Sequence, residues 1–240
     1  SEIRYVDPLR PDDTGDGTSW ATAKQTLQAG IGVTPAGGLL LVTNGVYNTG
    51  IASDTDGKSR IRILGKITVR SVNGAASTVI QGSGIETFGS GEAVRCVDMA
   101  DGRLEGFTLE HGATQSNNNA PYALYSYGGG VRATSFLPVI RDCIIRNNSA
   151  KWGGGTSKGI LVNCVLSNNR ANSDGGGAFN SKARDCTFDR NFASRGGGAS
   201  DASLVNCLVR ENAAGGDVGG TFNGSAVNCI LTKSAGGGAR

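Results

Sequence analysis

The chain has 240 residues, the length of one domain or one solenoid. Its 23 Lys and Arg against 20 Asp and Glu give a dispersed net charge of +3, which predicts no nucleic-acid footprint and no strong steering of a polyanion. No apolar run approaches the ~20 residues of a membrane helix, and six cysteines with one histidine and no C-x-x-C pair describe neither a small disulfide scaffold nor a zinc site.

Taken in order, Ile3-Arg4-Tyr5-Val6 reads as a strand ended by Asp7-Pro8. Asp12, Asp13 and Asp16 then crowd a turn-rich loop. Their carboxylates could hold calcium, although the loop lacks the Glu that ends an EF-hand site. A plain solvated turn is the alternative. Residues 19–29 predict the one helix, with Trp20, Ala23, Leu27 and Ile31 at helical spacing, Thr18 or Ser19 as cap, and Gly30 and Gly32 as stop. At the start of a solenoid such a helix covers the open end of the first coil. Apolar strands follow at 39–43, 46–47, 61–64, 67–70, 79–80 and 94–99, with a polar loop at 51–59. Residues 104–109 align with 140–145, which places Phe107 one coil ahead of Cys143, whereas Cys96 aligns with Ala133 beside a glycine corner. Residues 114–127 leave the coil as a polar insertion. Tyr122, Tyr125 and Tyr127 there could form a sugar-stacking lip, or the segment could be a tolerated surface insertion.

The last hundred residues repeat. Cys143, Cys164, Cys186, Cys207 and Cys229 fall 21 or 22 residues apart, each after Asp or Asn. An apolar residue follows two positions on, then Asn148, Asn169, Asn191 and Asn212 with Ser234 in the fifth copy, then a glycine cluster. This period is too short for a ~34-residue helical repeat and fits one coil of three strands and three corners. In stacked coils each repeat position becomes a ladder at ~4.8 Å. Alternation points the Cys column inward as buried, reduced thiols, although that spacing would also admit disulfides. The Asp/Asn column before Cys, the Asn148 column and the glycines read as the corners. The column just after Cys (Ile144, Val165, Thr187, Leu208, Ile230) points outward as a lateral apolar stripe, unless the strand turns early and buries both columns. The chain divides into a strand and capping helix (1–36), irregular coils (37–112), an insertion (113–127) and regular coils (128–240).

These motifs resemble the right-handed parallel β-helix superfamily, which includes pectate-lyase-like enzymes. The opening Tyr5-Val6-Asp7 and Gly15-Asp16-Gly17-Thr18-Ser19-Trp20-Ala21-Thr22-Ala23 resembles the N-terminal cap of large secreted bacterial β-helix proteins. Gly176-Gly177-Ala178, Gly197-Gly198-Ala199 and Phe188-x-x-Asn191 resemble repeats of polymorphic outer-membrane proteins and related adhesins. The resemblance spans nearly the whole chain and implies an all-β, right-handed, single-stranded parallel β-helix with a short N-terminal capping α-helix. It specifies fold well and function poorly.

β-Helix enzymes acting on acidic polysaccharides need paired carboxylates, or a basic side chain with something to neutralise the substrate acid. The outward columns carry mixed charges instead, such as Arg146, Ser167, Asp189, Arg210 and Thr232. Asp142 and Asp185 stand two coils apart, and His111 falls in a corner column. No catalytic residue is assigned, and no cofactor beyond calcium at the aspartate loop. The last coil ends without a cap, so a longer parent protein or a covering chain is expected; head-to-tail stacking would join Val227, Ile230 and Leu231 to Ile3 and Tyr5 of a neighbour. The reading is a secreted bacterial surface solenoid, structural or adhesive, pairing with itself, other surface proteins or polysaccharide. A carbohydrate-active enzyme (lyase or hydrolase) or carbohydrate-binding β-helix is the alternative.

Overall fold

A computed structural model describes residues 2–55, 57–84, 92–114 and 126–236. Among these, strands of two to seven residues stack into four sheets. Sheet A holds nine strands, from Ile3–Val6 through Leu39–Val42 and Val139–Arg141 to Ser225–Val227. Sheet B holds eight, from Gly45–Tyr47 to Ile230–Thr232. Sheet C holds eight, among them Val94–Met99, Val131–Ala133, Thr156–Ser157 and Ala178–Phe179. Sheet D is five two-residue strands, Ser149–Ala150 to Ala235–Gly236. Each regular coil runs A, B, D, C and returns to A, and neighbouring coils pair in parallel. The result is a right-handed parallel β-helix. It has four strands per regular coil rather than three, because two residues beyond the second corner pair briefly before the glycines.

The coil interior is one continuous apolar column. Ile140, Leu161, Ala183 and Leu204 stack from sheet A, and Ile145, Leu166, Phe188 and Val209 from sheet B, all buried. Phe107 lies one coil ahead of Cys143, as its alignment implied. Cys96 does not pair with Ala133. Val97 pairs with Val131 and Met99 with Ala133, so Cys96 falls opposite Gly130 in the glycine column. The residues around Cys96 carry no repeat signal, and one strand can slide against another unnoticed until the ladder fixes it.

The helix differs from expectation. Residues 20–22 form only a 3-10 turn capped by Ser19, and the α-helix, here α1, spans Leu27–Val33 with Thr26 as N-cap. Gly30 and Gly32 lie inside it. A Cβ on Gly30 would stand 2.3 Å from Val6 Cγ2, so the glycine lets α1 seat directly on the end of the core. The 51–59 segment is not a featureless loop either, since Ala52–Asp54 pairs antiparallel with Gly57–Ile63.

Candidate functional site

The corners place the outward side chains. Left-handed φ values of 45–58° recur at three points: the A–B corner (Asp142, Asn163, Asp185, Asn206, Asn228), the B–D corner (His111, Asn147, Asn168, Arg190, Glu211, Lys233) and the C–A corner (Lys158, Asn180, Asp201, Asn223). Asn and Asp tolerate this geometry. The Asn148 column is not itself left-handed. It lies one residue later, turned inward, with Asn148, Asn169, Asn191 and Asn212 no more than 1 % exposed. Asn169 Nδ2 donates to Asn191 Oδ1 at 3.0 Å and to the Ile145 carbonyl at 2.8 Å, and its backbone N–H shares the same Oδ1. Asn148 and Asn191 repeat the pattern.

Above sheet C, residues from successive coils form a groove of about 360 Å³ bounded by Tyr127, Arg132, Ser157, Lys158, Phe179 and Asn180. Tyr127 stacks on Trp152 with ring centroids 4.9 Å apart, and Phe179 lies 6.0 Å from Tyr127. Lys151 Nζ stands 4.5 Å over the Trp152 ring. Beneath, Asp98 is buried between Arg132 Nε at 2.7 Å and Arg62 Nε at 2.9 Å. Burial opposes ionisation of Asp98, but the Arg132 hydrogen bond and the charges of Arg132 and Arg95 outweigh it and hold the carboxyl below the usual range. The Lys158 side chain has no hydrogen bond or ion pair among the described residues. The groove is therefore aromatic at one end, carries an uncommitted amine, and has no acidic residue in its lining. Such a surface can stack an apolar sugar face and attract an acid group.

Of the tyrosines in the insertion, Tyr127 lines this groove, while Tyr122 and Tyr125 fall outside the described residues. Lys158, Trp152 and Phe179 were not singled out from sequence. Aligning the C–A corner column would have brought Lys158, Asn180 and Asp201 together.

The other predicted residues lie elsewhere. Asp12 accepts from Thr14, Asp13 from Thr26, and Asp16 from Thr18 and Thr22, so the three carboxylates brace different parts of the loop. Among the described residues no three His, Cys, Asp or Glu gather as metal ligands. Cys143, Cys164, Cys186 and Cys207 are buried, Cys229 is half-buried, and all are free thiols. Burial pushes the Cys96 thiol up to about 12; in the ladder, a side-chain hydrogen bond with Cys164, reinforced by burial, pushes Cys186 up to about 12. In the lateral stripe Val165 and Ile230 are exposed, and Ile144, Thr187 and Leu208 are half-buried. Val227, Ile230 and Leu231 are exposed on the last described coil. At the other end Tyr5 packs edge-on against Trp20, and its N–H and carbonyl bond Gly17 and Lys24. The chain's own loop thus pairs with this strand at Tyr5 to Asp7, while Ile3 is exposed. His111 bonds Gln81 at 3.1 Å. Asp142 accepts from Asn163, and the buried Asp189 carboxylate lies between the more exposed Arg190 and Arg210.

Comparison with solved structures agrees with this geometry. The chain superposes on the pectate lyase Pel9A with a TM-score of 0.59 and 14% identity, covering 88% of this chain and 54% of that one. A rhamnogalacturonan lyase matches with a TM-score of 0.54 and 12% identity, covering 100% of this chain and 63% of that one. The shared feature is the fold. The chain spans just over half to under two thirds of the length of these two lyases. No family model matches it, and no curated protein matches significantly. The matches support the parallel β-helix fold and lend nothing to the finer likeness to polymorphic outer-membrane proteins.

Proposed function

We propose that this β-helix binds an acidic polysaccharide in the groove over sheet C. The carrying observation is the Tyr127–Trp152–Phe179 aromatic end beside the uncommitted Lys158 amine. Successive coils offer equivalent positions at ~4.8 Å, so a chain-like ligand running along the axis meets a repeating surface. The names of the two lyases of similar fold favour a uronate-containing polymer over a neutral one. In this reading the aromatic rings take a sugar face, Lys158 pairs with a carboxylate, and the Arg132–Asp98–Arg62 cluster stiffens the floor. The protein then acts outside the cell, where such polymers lie. An adhesive solenoid and a polysaccharide-binding one are the same molecule at this level; they differ in whether the bound chain is cut. Cleavage by elimination would require Lys158 as a neutral amine, released from its carboxylate, to take the proton beside the uronate carboxyl as the glycosidic C–O bond breaks at the neighbouring carbon and the leaving oxygen takes a proton from water.

The test is affinity electrophoresis in gels containing polygalacturonate, rhamnogalacturonan or neutral galactan, with product absorbance followed in parallel. Wild type should be retarded by an acidic polymer and not by galactan. Lys158→Ala and Tyr127→Ala should each weaken retardation about tenfold, which corresponds to ~1.4 kcal/mol. Equal retardation of both variants and wild type would remove the groove from the account. An unsaturated product that disappears in Lys158→Ala would make the protein a lyase.

A further inference from the structure

A second cavity lies at the other end of the molecule, between α1 and the first coils. It has a volume of about 500 Å³ and is lined by Gln25, Leu27, Val46, Tyr47, Asn48 and Arg60, among others. Arg60 is only 8% exposed. Its Nε donates to the Gln81 carbonyl at 2.8 Å and its Nη1 to the Gly50 carbonyl at 2.6 Å. Both acceptors are neutral. Among the described residues no carboxylate pairs with Arg60, and no protein acceptor bonds Nη2. That nitrogen is not sealed off as an unsatisfied buried atom either. No Asp or Glu lines the cavity.

A buried cation with no counter-charge is costly, because desolvation is not offset by a partner. Another buried arginine, Arg132, has a carboxylate partner in Asp98 at 2.7 Å. Arg60 has instead an open space in front of it. Burial accordingly lowers its pKa, with only a weak opposing influence from Cys96. Leu27, Val46, Tyr47 and Ile61 give the lining its apolar part, beside the amides of Gln25 and Asn48.

From this we infer that the cavity is a binding site for a small carboxylate ligand, with the acid group on Arg60 and an apolar or ring-shaped body against Val46 and Tyr47. Guanidinium is the side chain best suited to pair a carboxylate. The source of the acid could be a free small molecule or a uronate unit, and the probes separate the two. The site is distinct from the groove over sheet C and does not depend on it.

The experiment is calorimetry and thermal melting of the full chain with benzoate, galacturonate and neutral methyl benzoate. Benzoate or galacturonate should bind, raise the melting temperature by mass action, and weaken with added salt. Methyl benzoate should bind at least tenfold more weakly than benzoate. Preference for benzoate points to a free aromatic or aliphatic acid, and preference for galacturonate to a sugar acid. Arg60→Gln should abolish the melting shift given by benzoate. Should that variant fail to fold, Val46→Trp, at an exposed position on the wall, should fold and block binding. The inference is overturned if neither acid binds at millimolar concentration, if the ester matches the acid, or if Val46→Trp binds unchanged.

Discussion

At the scale of single residues, the buried Asn column is the most sharply constrained feature. Each interior amide serves the coil on either side, so removing one leaves both neighbours short of partners. Asn169→Ala takes a donor from the Ile145 carbonyl and leaves the Asn148 backbone N–H and one Asn148 amide hydrogen without their acceptor. At about 1–3 kcal/mol per unsatisfied buried group, it should cost ~3 kcal/mol in urea denaturation, and Asn212→Ala, with Ser234 instead of Asn in the next copy, should cost less. The left-handed corners offer the opposite kind of change. Glu211 holds φ 54° without the help an Asn side chain gives. Glu211→Asn should stabilise the fold by roughly 0.5–1 kcal/mol on the same measurement. The corners were readable where Asn or Asp fills them. At Lys158, Arg190 and Glu211 residue type speaks against a left-handed backbone, and only alignment with neighbouring coils reveals it. The same blindness hid half the groove: Tyr127 stands out in a Tyr-rich insertion, but Trp152 and Lys158 belong to the next coil and Phe179 to the one after it.

At the scale of elements, the glycine corner and the N-terminal cap decide how coils meet. A Cβ on Gly176 would lie 2.4 Å from the carbonyl oxygens of both Gly197 and Phe192 in the next coil. Backbone cannot yield there as a flexible side chain could. Gly176→Ala should therefore lose about 3 kcal/mol or more, with hydrogen exchange rising first in sheets C and D. The cap has an acid-sensitive brace. The Thr22 hydroxyl, then the Thr18 N–H and hydroxyl, hold the Asp16 carboxyl at about 2, below its ordinary 3.8. A depressed carboxyl contributes stability above the unfolded value and loses it as pH falls from about 4 through about 2. Trp20, packed on Tyr5, should report this as a fluorescence change in that window, and Asp16→Asn should flatten it. The strands were legible because their apolar alternation is local. The helix boundary was not, because a glycine pressed against Val6 has the same letter as a glycine that stops a helix.

At the scale of the molecule, the 21–22-residue period made the fold legible, since every coil must show its neighbour the same interior. Nothing comparable marks a binding surface, which depends on what departs from the period. The interior thiols share this uniformity. With the pKa of the Cys96 and Cys186 thiols pushed up to about 12, and the ladder buried, native protein should react with a thiol reagent at Cys229 alone among the described cysteines, and at all six once unfolded.

The parallel register between coils also makes the chain a mechanical object. Each regular coil is fastened to the next by four short parallel strands, the buried Asn ladder and the stacked core, and consecutive coils hold 21 or 22 residues. Pulled from its C-terminal end, the solenoid should not rupture at once. It should peel, one coil per event, releasing roughly 7 nm of extended chain each time. Force spectroscopy should show that staircase across the regular coils and lose its regular step on reaching the irregular coils before residue 113. A tether built this way yields length under load while its remaining coils, including those near the N-terminal cap, stay folded.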